Sequence, residues 1–249
     1  MITNFNKSIN IYVSNQNSEP KYRIVCFPHA GGSASFFRKW NEFFVDAELC
    51  SIKYPGRAER INDPLPTNLV TLSYEIAQDI MSLADLPLFF LGHSMGALVA
   101  FEVAKALEKS NVYIKCLFAS GSKNGNILGS SEYIEESDKD ISNELVRMGG
   151  TSTEMINDLL FKDLVLPAIK ADSKMFHSYK INDDLKLNCQ IVTICGKDDL
   201  YSDVRPWKFL THDLYKEYIV PGGHFYLIDS PPISEITLIC KNIINNKTS

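Results

Sequence analysis

Six short apolar runs recur along the chain: Tyr22 to Phe27, Leu49 to Tyr54, Leu88 to Leu91, Ile114 to Ala119, Gln190 to Cys195 and Glu217 to Val220. They are too continuously apolar for strands of a sheet with one wet face. Between them, Leu72 to Leu83 and Ala97 to Leu107 place apolar residues at helical spacing, and Ile233 to Ile244 reads as a closing helix behind Pro231 and Pro232. Strand and helix patterns in alternation predict an α/β fold, a mostly parallel central sheet with helices on both faces.

One interval breaks the rhythm. A strand-helix-strand crossover takes about 30 residues, yet Ala119 and Gln190 lie more than twice that far apart. The excess, residues 121–185, begins with Gly and Ser punctuation. It continues with amphipathic stretches around Ile141 to Met148, Met155 to Leu160 and Leu164 to Phe176, broken at Gly149 and Gly150. This segment is expected to be a helical lid inserted over the active edge of one domain spanning residues 1–249. The competing reading is a small helical unit with no gating role.

The punctuation between elements carries candidate chemistry. Gly92-His93-Ser94-Met95-Gly96 follows the Leu88 strand directly and opens the Ala97 helix. A GxSxG pentapeptide alone is a weak signal, but a strand before and a helix after make the context of a nucleophile elbow. There a tight turn lifts the serine Oγ above the sheet edge, and small residues two positions either side let helix and strand approach. The Met95 N–H, at the helix N-terminus, is one expected oxyanion donor.

Serine needs a base, and the base needs a third group to fix its tautomer. An elbow in this setting points to the α/β-hydrolase fold, in which the chain order is Ser, Asp, His. Pro221-Gly222-Gly223-His224 follows the last strand and supplies the histidine, while Gly196-Lys197-Asp198-Asp199 follows the Gln190 strand. Asp199 is chosen there, with Asp198 second and Asp203 a distant third. His93 is expected to pack within the elbow, and His177 and His212 to be surface or cap residues. The turn Phe27-Pro28-His29-Ala30-Gly31-Gly32 matches the loop that donates the second oxyanion N–H, with Ala30 as donor; neither GxGxxG nor GxxxxGK[ST] is present to favour phosphate binding.

Composition narrows the classes. With 249 residues, 45% hydrophobic, the chain can bury a large core. A charged fraction of 22% and net charge of -5 argue against nucleic acid or an anionic membrane as partner. Residues 1–17 lack a signal-peptide pattern and no run is long enough to span a bilayer, so a cytoplasmic location is expected. Six scattered cysteines without a CxxC pair read as buried free thiols. No HxH, HExxH or Cys/His cluster suggests a metal, and no cofactor is expected.

Taken together, the stretches CFPHAGGSASFFRKW (Cys26 to Trp40), YPGRAER (Tyr54 to Arg60), FFLGHSMGALVAFEVAKALE (Phe89 to Glu108), LVRMGGTSTEM (Leu145 to Met155), LPAIKADSKMF (Leu166 to Phe176), CGKDD (Cys195 to Asp199) and PGGHFYL (Pro221 to Leu227) resemble the type II thioesterases of non-ribosomal peptide and polyketide biosynthesis. They cover nearly the whole chain in order. A general α/β-hydrolase shares the elbow but not the LVRMGG and LPAIKAD stretches. The resemblance implies hydrolysis of acyl groups from the phosphopantetheine arm of acyl or peptidyl carrier domains. It also implies Ser94, Asp199 and His224 as triad and Ala30 and Met95 as oxyanion donors. His29 departs from the family, which more often has an aromatic such as Tyr there.

Carrier domains in such systems are usually acidic, so a chain of net charge -5 would repel rather than steer them, and docking is expected to depend on apolar lid contacts or a local basic spot. Arg57, Arg60 and Lys123 are candidates against a background of ordinary solvated charge. A monomer is expected. The competing functions are a small-molecule esterase or lipase with the same triad, and a non-catalytic carrier-binding protein, against which the complete Ser, Asp and His set argues.

Overall fold

Residues 10–14, 19–122, 137–181, 185–200 and 205–245 are described by the structure, a computed structural model. Asp203 and Lys123 lie outside them. Among the described residues seven strands form one sheet: β1 (Ile11–Val13), β2 (Tyr22–Phe27), β3 (Ala47–Ile52), β4 (Leu88–His93), β5 (Cys116–Ser120), β6 (Gln190–Gly196) and β7 (Tyr215–Val220). Their spatial order is β1-β3-β2-β4-β5-β6-β7, and every pairing is parallel except β1 on β3.

Period-two alternation sends neighbouring side chains of each inner strand to opposite faces. Val25, Phe27 and Phe90 join one buried cluster with helices α1 (Leu69–Ile80) and α2 (Met95–Glu108). Ile24, Cys26, Phe89 and Leu91 join the other, with Phe37, Trp40, Ile236 and Cys240. The helical turn Ala34–Glu42 and the C-terminal helix therefore cover the second face. Because both faces are covered, the inner strands read as unbroken apolar runs. β7 differs: as an edge strand it is half-exposed with Glu217 in solvent.

The inserted segment lies between β5 and β6. Among its described residues are α3 (Asp138–Met148), α4 (Thr153–Asn157), a π-helical turn (Phe161–Val165) and α5 (Leu166–Ser178). Ser137 caps α3 through the Asp140 N–H, and Gly149, at φ 81, ends it in the left-handed conformation that favours glycine. The stretch expected as one helix over Met155 to Leu160 stops at Asn157 instead. Asp158 turns extended, and its carboxylate accepts the Leu160 N–H at 2.7 Å, which caps the next turn. The last elements are α6 (Tyr226–Asp229) and α7 (Ile233–Asn245).

The chain leaves β2 toward β3 on one side, then crosses to β4 on the other. Their carboxyl ends form the crevice at the switch point of the sheet, where open α/β sheets place their ligands. The Pro28 to Gly32 turn and Ser94 both emerge there.

Candidate active site

β4 delivers the chain into a turn that only its sequence permits. Ser94 has φ 55 and ψ -122, a strained conformation for a residue with a Cβ, and α2 starts at the next residue. Its N–H donates to the Ser120 carbonyl (2.8 Å), tying the elbow to β5. A Cβ on Gly92 would sit 2.3 Å from the Gly96 carbonyl oxygen, and one on Gly96 only 2.1 Å from that of Phe27. Both positions are thereby restricted to glycine. The Met95 N–H is among the first-turn donors an α-helix leaves without an internal partner.

The β6 and β7 loops bring in the other two groups. Lys197 and Asp198 donate backbone hydrogen bonds to the Val220 and Gly222 carbonyls (2.8 and 2.9 Å). Gly196 packs so closely that a Cβ would lie 2.3 Å from the Gly223 oxygen. This stitching turns the Asp199 side chain inward, fully buried, while Asp198 stays exposed. His224 Nδ1 donates to Asp199 Oδ2 at 2.9 Å; the carboxylate can only accept, so Nδ1 carries the proton and Nε2 is left basic.

A cavity of about 320 Å³ joins these parts, within the range of small-molecule sites. Ser94, Met95, His224, His29 and Ala30 line its floor; Ile141, Leu145 and Met148 from α3 and Ile169 and Phe176 from α5 line its roof. Polar Glu144, Ser173 and His177 face the same space. All five residues singled out from the sequence thus gather at one place, four of them with Asp199 directly behind. Among the described residues no cluster of His, Cys, Asp or Glu could hold a metal, and no helix is long and apolar enough to cross a membrane.

The remaining histidines divide. His93 is fully buried, with Nδ1 2.9 Å from Ser120 Oγ, which lies 2.6 Å from the Tyr226 hydroxyl. It is a packing residue. His29 meets the rings of Phe36 and Phe225 edge-on at 4.8 and 4.9 Å. Burial among rings, with His224 and Arg57 nearby, pushes its pKa down to about 3, and burial likewise holds His93 well below the usual histidine range. Both are neutral at working pH. His212 is exposed. His177, by contrast, is a cavity residue, with Nδ1 2.8 Å from the Ser173 carbonyl. The helix-face spacing Ile169, Ser173, Phe176, His177 is the signal that could have found it.

Two basic candidates for docking are corrected. Arg57 is buried, in a bidentate ion pair with Asp172 of α5. Arg60 bonds Asp63, Asn10 and the Lys53 carbonyl. Neither guanidinium is available as a basic spot. The cysteines are free among the described residues, and all but the half-buried Cys195 are buried.

With that geometry in place, residues 22–244 match the family described as Thioesterase domain. The gramicidin S biosynthesis protein GrsT of Aneurinibacillus migulanus is 35% identical over 236 residues, covering 92% of each chain. The probable anguibactin biosynthesis thioesterase AngT of Vibrio anguillarum is 30% identical over 251 residues, 97% of this chain and 98% of its own. Among solved structures, YbtT, described as a type II thioesterase from the yersiniabactin NRPS/PKS biosynthetic pathway, superposes with a TM-score of 0.82 at 28% identity, covering 94% of this chain and 98% of that one.

Proposed function

The chain belongs to the thioesterase domain family, with the α/β-hydrolase fold, and from that premise we propose that it is a type II editing thioesterase, releasing stalled or aberrant acyl groups from the phosphopantetheine arm of carrier domains. The observation that carries the reading is the buried Asp199–His224 hydrogen bond facing the same cavity as Ser94. Coverage of 92% and 97% of the chain by pathway-associated relatives supports the substrate class.

In this reading His224 Nε2 takes the Ser94 hydroxyl proton as Oγ attacks the thioester carbonyl. The Ala30 and Met95 N–H groups hold the oxyanion, as backbone donors set in place before the charge develops. Collapse breaks the C–S bond, and His224 returns the proton to the departing thiol. Water then gives a proton to Nε2 and attacks the acyl-serine, releasing the acid and restoring the Ser94 hydroxyl. Asp199 stabilises the imidazolium in both steps. The inserted helices serve as a lid, with Ile141, Leu145 and Ile169 offering the acyl chain an apolar wall.

The test compares hydrolysis of an acyl-loaded carrier domain with that of a p-nitrophenyl ester of the same acid. At least tenfold higher kcat/KM on the carrier is expected. Faster turnover of the free ester, with the carrier left loaded, would make the chain an esterase.

A further inference from the structure

One buried ion pair ties the inserted helices to the first oxyanion loop, and the reaction above has not used it. Asp172, on α5, is fully buried. Its Oδ1 accepts from Arg57 Nη2 (2.9 Å), and its Oδ2 accepts from both Arg57 Nη1 and the Gly31 backbone N–H (2.8 Å). Arg57 is held in turn by the Pro55 carbonyl (3.3 Å), with its guanidinium 5.4 Å from the Tyr54 ring centroid. The Tyr54 hydroxyl donates to the Pro28 carbonyl (3.3 Å), so contacts grip the loop at both ends.

The loop needs holding. Gly32 N–H donates to the His29 carbonyl (2.9 Å), closing a four-residue turn with Ala30 and Gly31 at its centre and Gly31 at φ 73. β-turns of the two common types differ by rotation of their central peptide, and glycine there lowers the cost of changing between them. The central peptide here is Ala30–Gly31, and its N–H is the one Asp172 accepts. Ile169, one turn before Asp172, sits so close that a Cβ on Gly31 would lie 2.2 Å from its Cγ1.

We infer that Asp172, oriented by Arg57, is a positioning residue for the oxyanion hole. By binding the Gly31 N–H directly after Ala30, while the Tyr54 hydroxyl holds the Pro28 carbonyl two residues before it, the ion pair pins the short backbone segment that carries the Ala30 N–H beside the cavity that Ala30 and Ser94 both line. A buried ion pair adds little net stability over a well-packed apolar pair; what this one supplies is direction. The inference rests on the reading of Ala30 as an oxyanion donor.

The test uses the double variant Asp172→Leu with Arg57→Met, which leaves no unpaired buried charge, and Asp172→Asn alone. Readouts are kcat and KM on an acyl-pantetheine, the melting midpoint, and affinity for an acyl trifluoromethyl ketone, whose serine adduct carries an oxyanion. Deleting one oxyanion donor costs about 10²–10³-fold in kcat; misdirecting one is expected to cost about 10–100-fold. The folded double variant should lose that factor in kcat with KM within about threefold, and ketone affinity should fall in parallel. Asp172→Asn, which keeps an acceptor for the Gly31 N–H, should fall between it and wild type. Unchanged kcat and ketone affinity in the double variant, or a loss confined to KM, overturns the inference. If the double variant does not fold, unchanged kcat and ketone affinity in Asp172→Asn does so. Should wild type leave thioesters intact, the functional reading fails, while ketone affinity still reports on the loop.

Discussion

Replacing Gly96 by alanine sets two effects of known size against each other. In a helix alanine is preferred over glycine by about 1 kcal/mol, so on propensity alone the variant gains stability. Its Cβ, however, would lie 2.1 Å from the Phe27 carbonyl oxygen and 2.5 Å from that of Pro28. Both are backbone atoms that no rotamer change can move. Restoring ordinary contact requires α2 to withdraw from the end of β2 by about 1 Å. Overpacking of this kind costs about 1–3 kcal/mol or more, and with two fixed carbonyls the upper end applies. The net expectation is a loss of about 2 kcal/mol in urea unfolding. The withdrawal also separates Met95 from Ala30, and a 1 Å misplacement costs about 100-fold in rate. Gly149→Ala is the control: its site has φ 81 but nothing within 4 Å, so it should lose about 1 kcal/mol and keep its kcat. A Gly96→Ala protein as stable as wild type, with kcat within about threefold, refutes the reasoning.

Two further outcomes follow from the same geometry. Asp199→Asn should lower kcat by about 10⁴-fold through loss of the correct His224 tautomer, whereas Asp198→Asn, exposed beside it, should stay within about twofold; equal losses would mean the carboxylates are misassigned. For acid stability, the folded pKa values of His29 and His93 lie below that of an unfolded histidine, so the unfolded state binds more protons once the pH drops under about 6.5. Stability present above that pH is lost on acidification by about 1.4 kcal/mol per pH unit for each such histidine. His29→Phe should therefore reduce the slope of unfolding free energy between pH 6 and 5 by about that amount, and an unchanged slope would show that His29 titrates normally.

Much of the site was legible because its signals are local. The elbow needs Gly92, Ser94 and Gly96 within five residues of one strand end, and the β2, β4 and β6 runs stand out because helices cover both their faces. What stayed hidden depends on partners far away in sequence. β1 has three residues, of which only Ile11 is buried, so no periodicity could reveal it; pairing with Cys50 to Ile52 on β3 makes it a strand. β7 begins at Tyr215, earlier than its apolar run, because an edge strand tolerates exposed Lys216 and Glu217. Asp198 and Asp199 are chemically alike, and only the backbone bonds to Val220 and Gly222 decide which one turns inward. Arg57 and Asp172 are 115 residues apart, and nothing near either one announces an ion pair.

Covalent catalysis at Ser94 is decided by rapid-quench mass spectrometry of the protein mixed with an acyl-loaded carrier domain. An acyl adduct on the Ser94 peptide, formed at least as fast as acid is released and absent with all turnover in Ser94→Ala, is the expected result. Acid release by Ser94→Ala at the wild-type rate would contradict it.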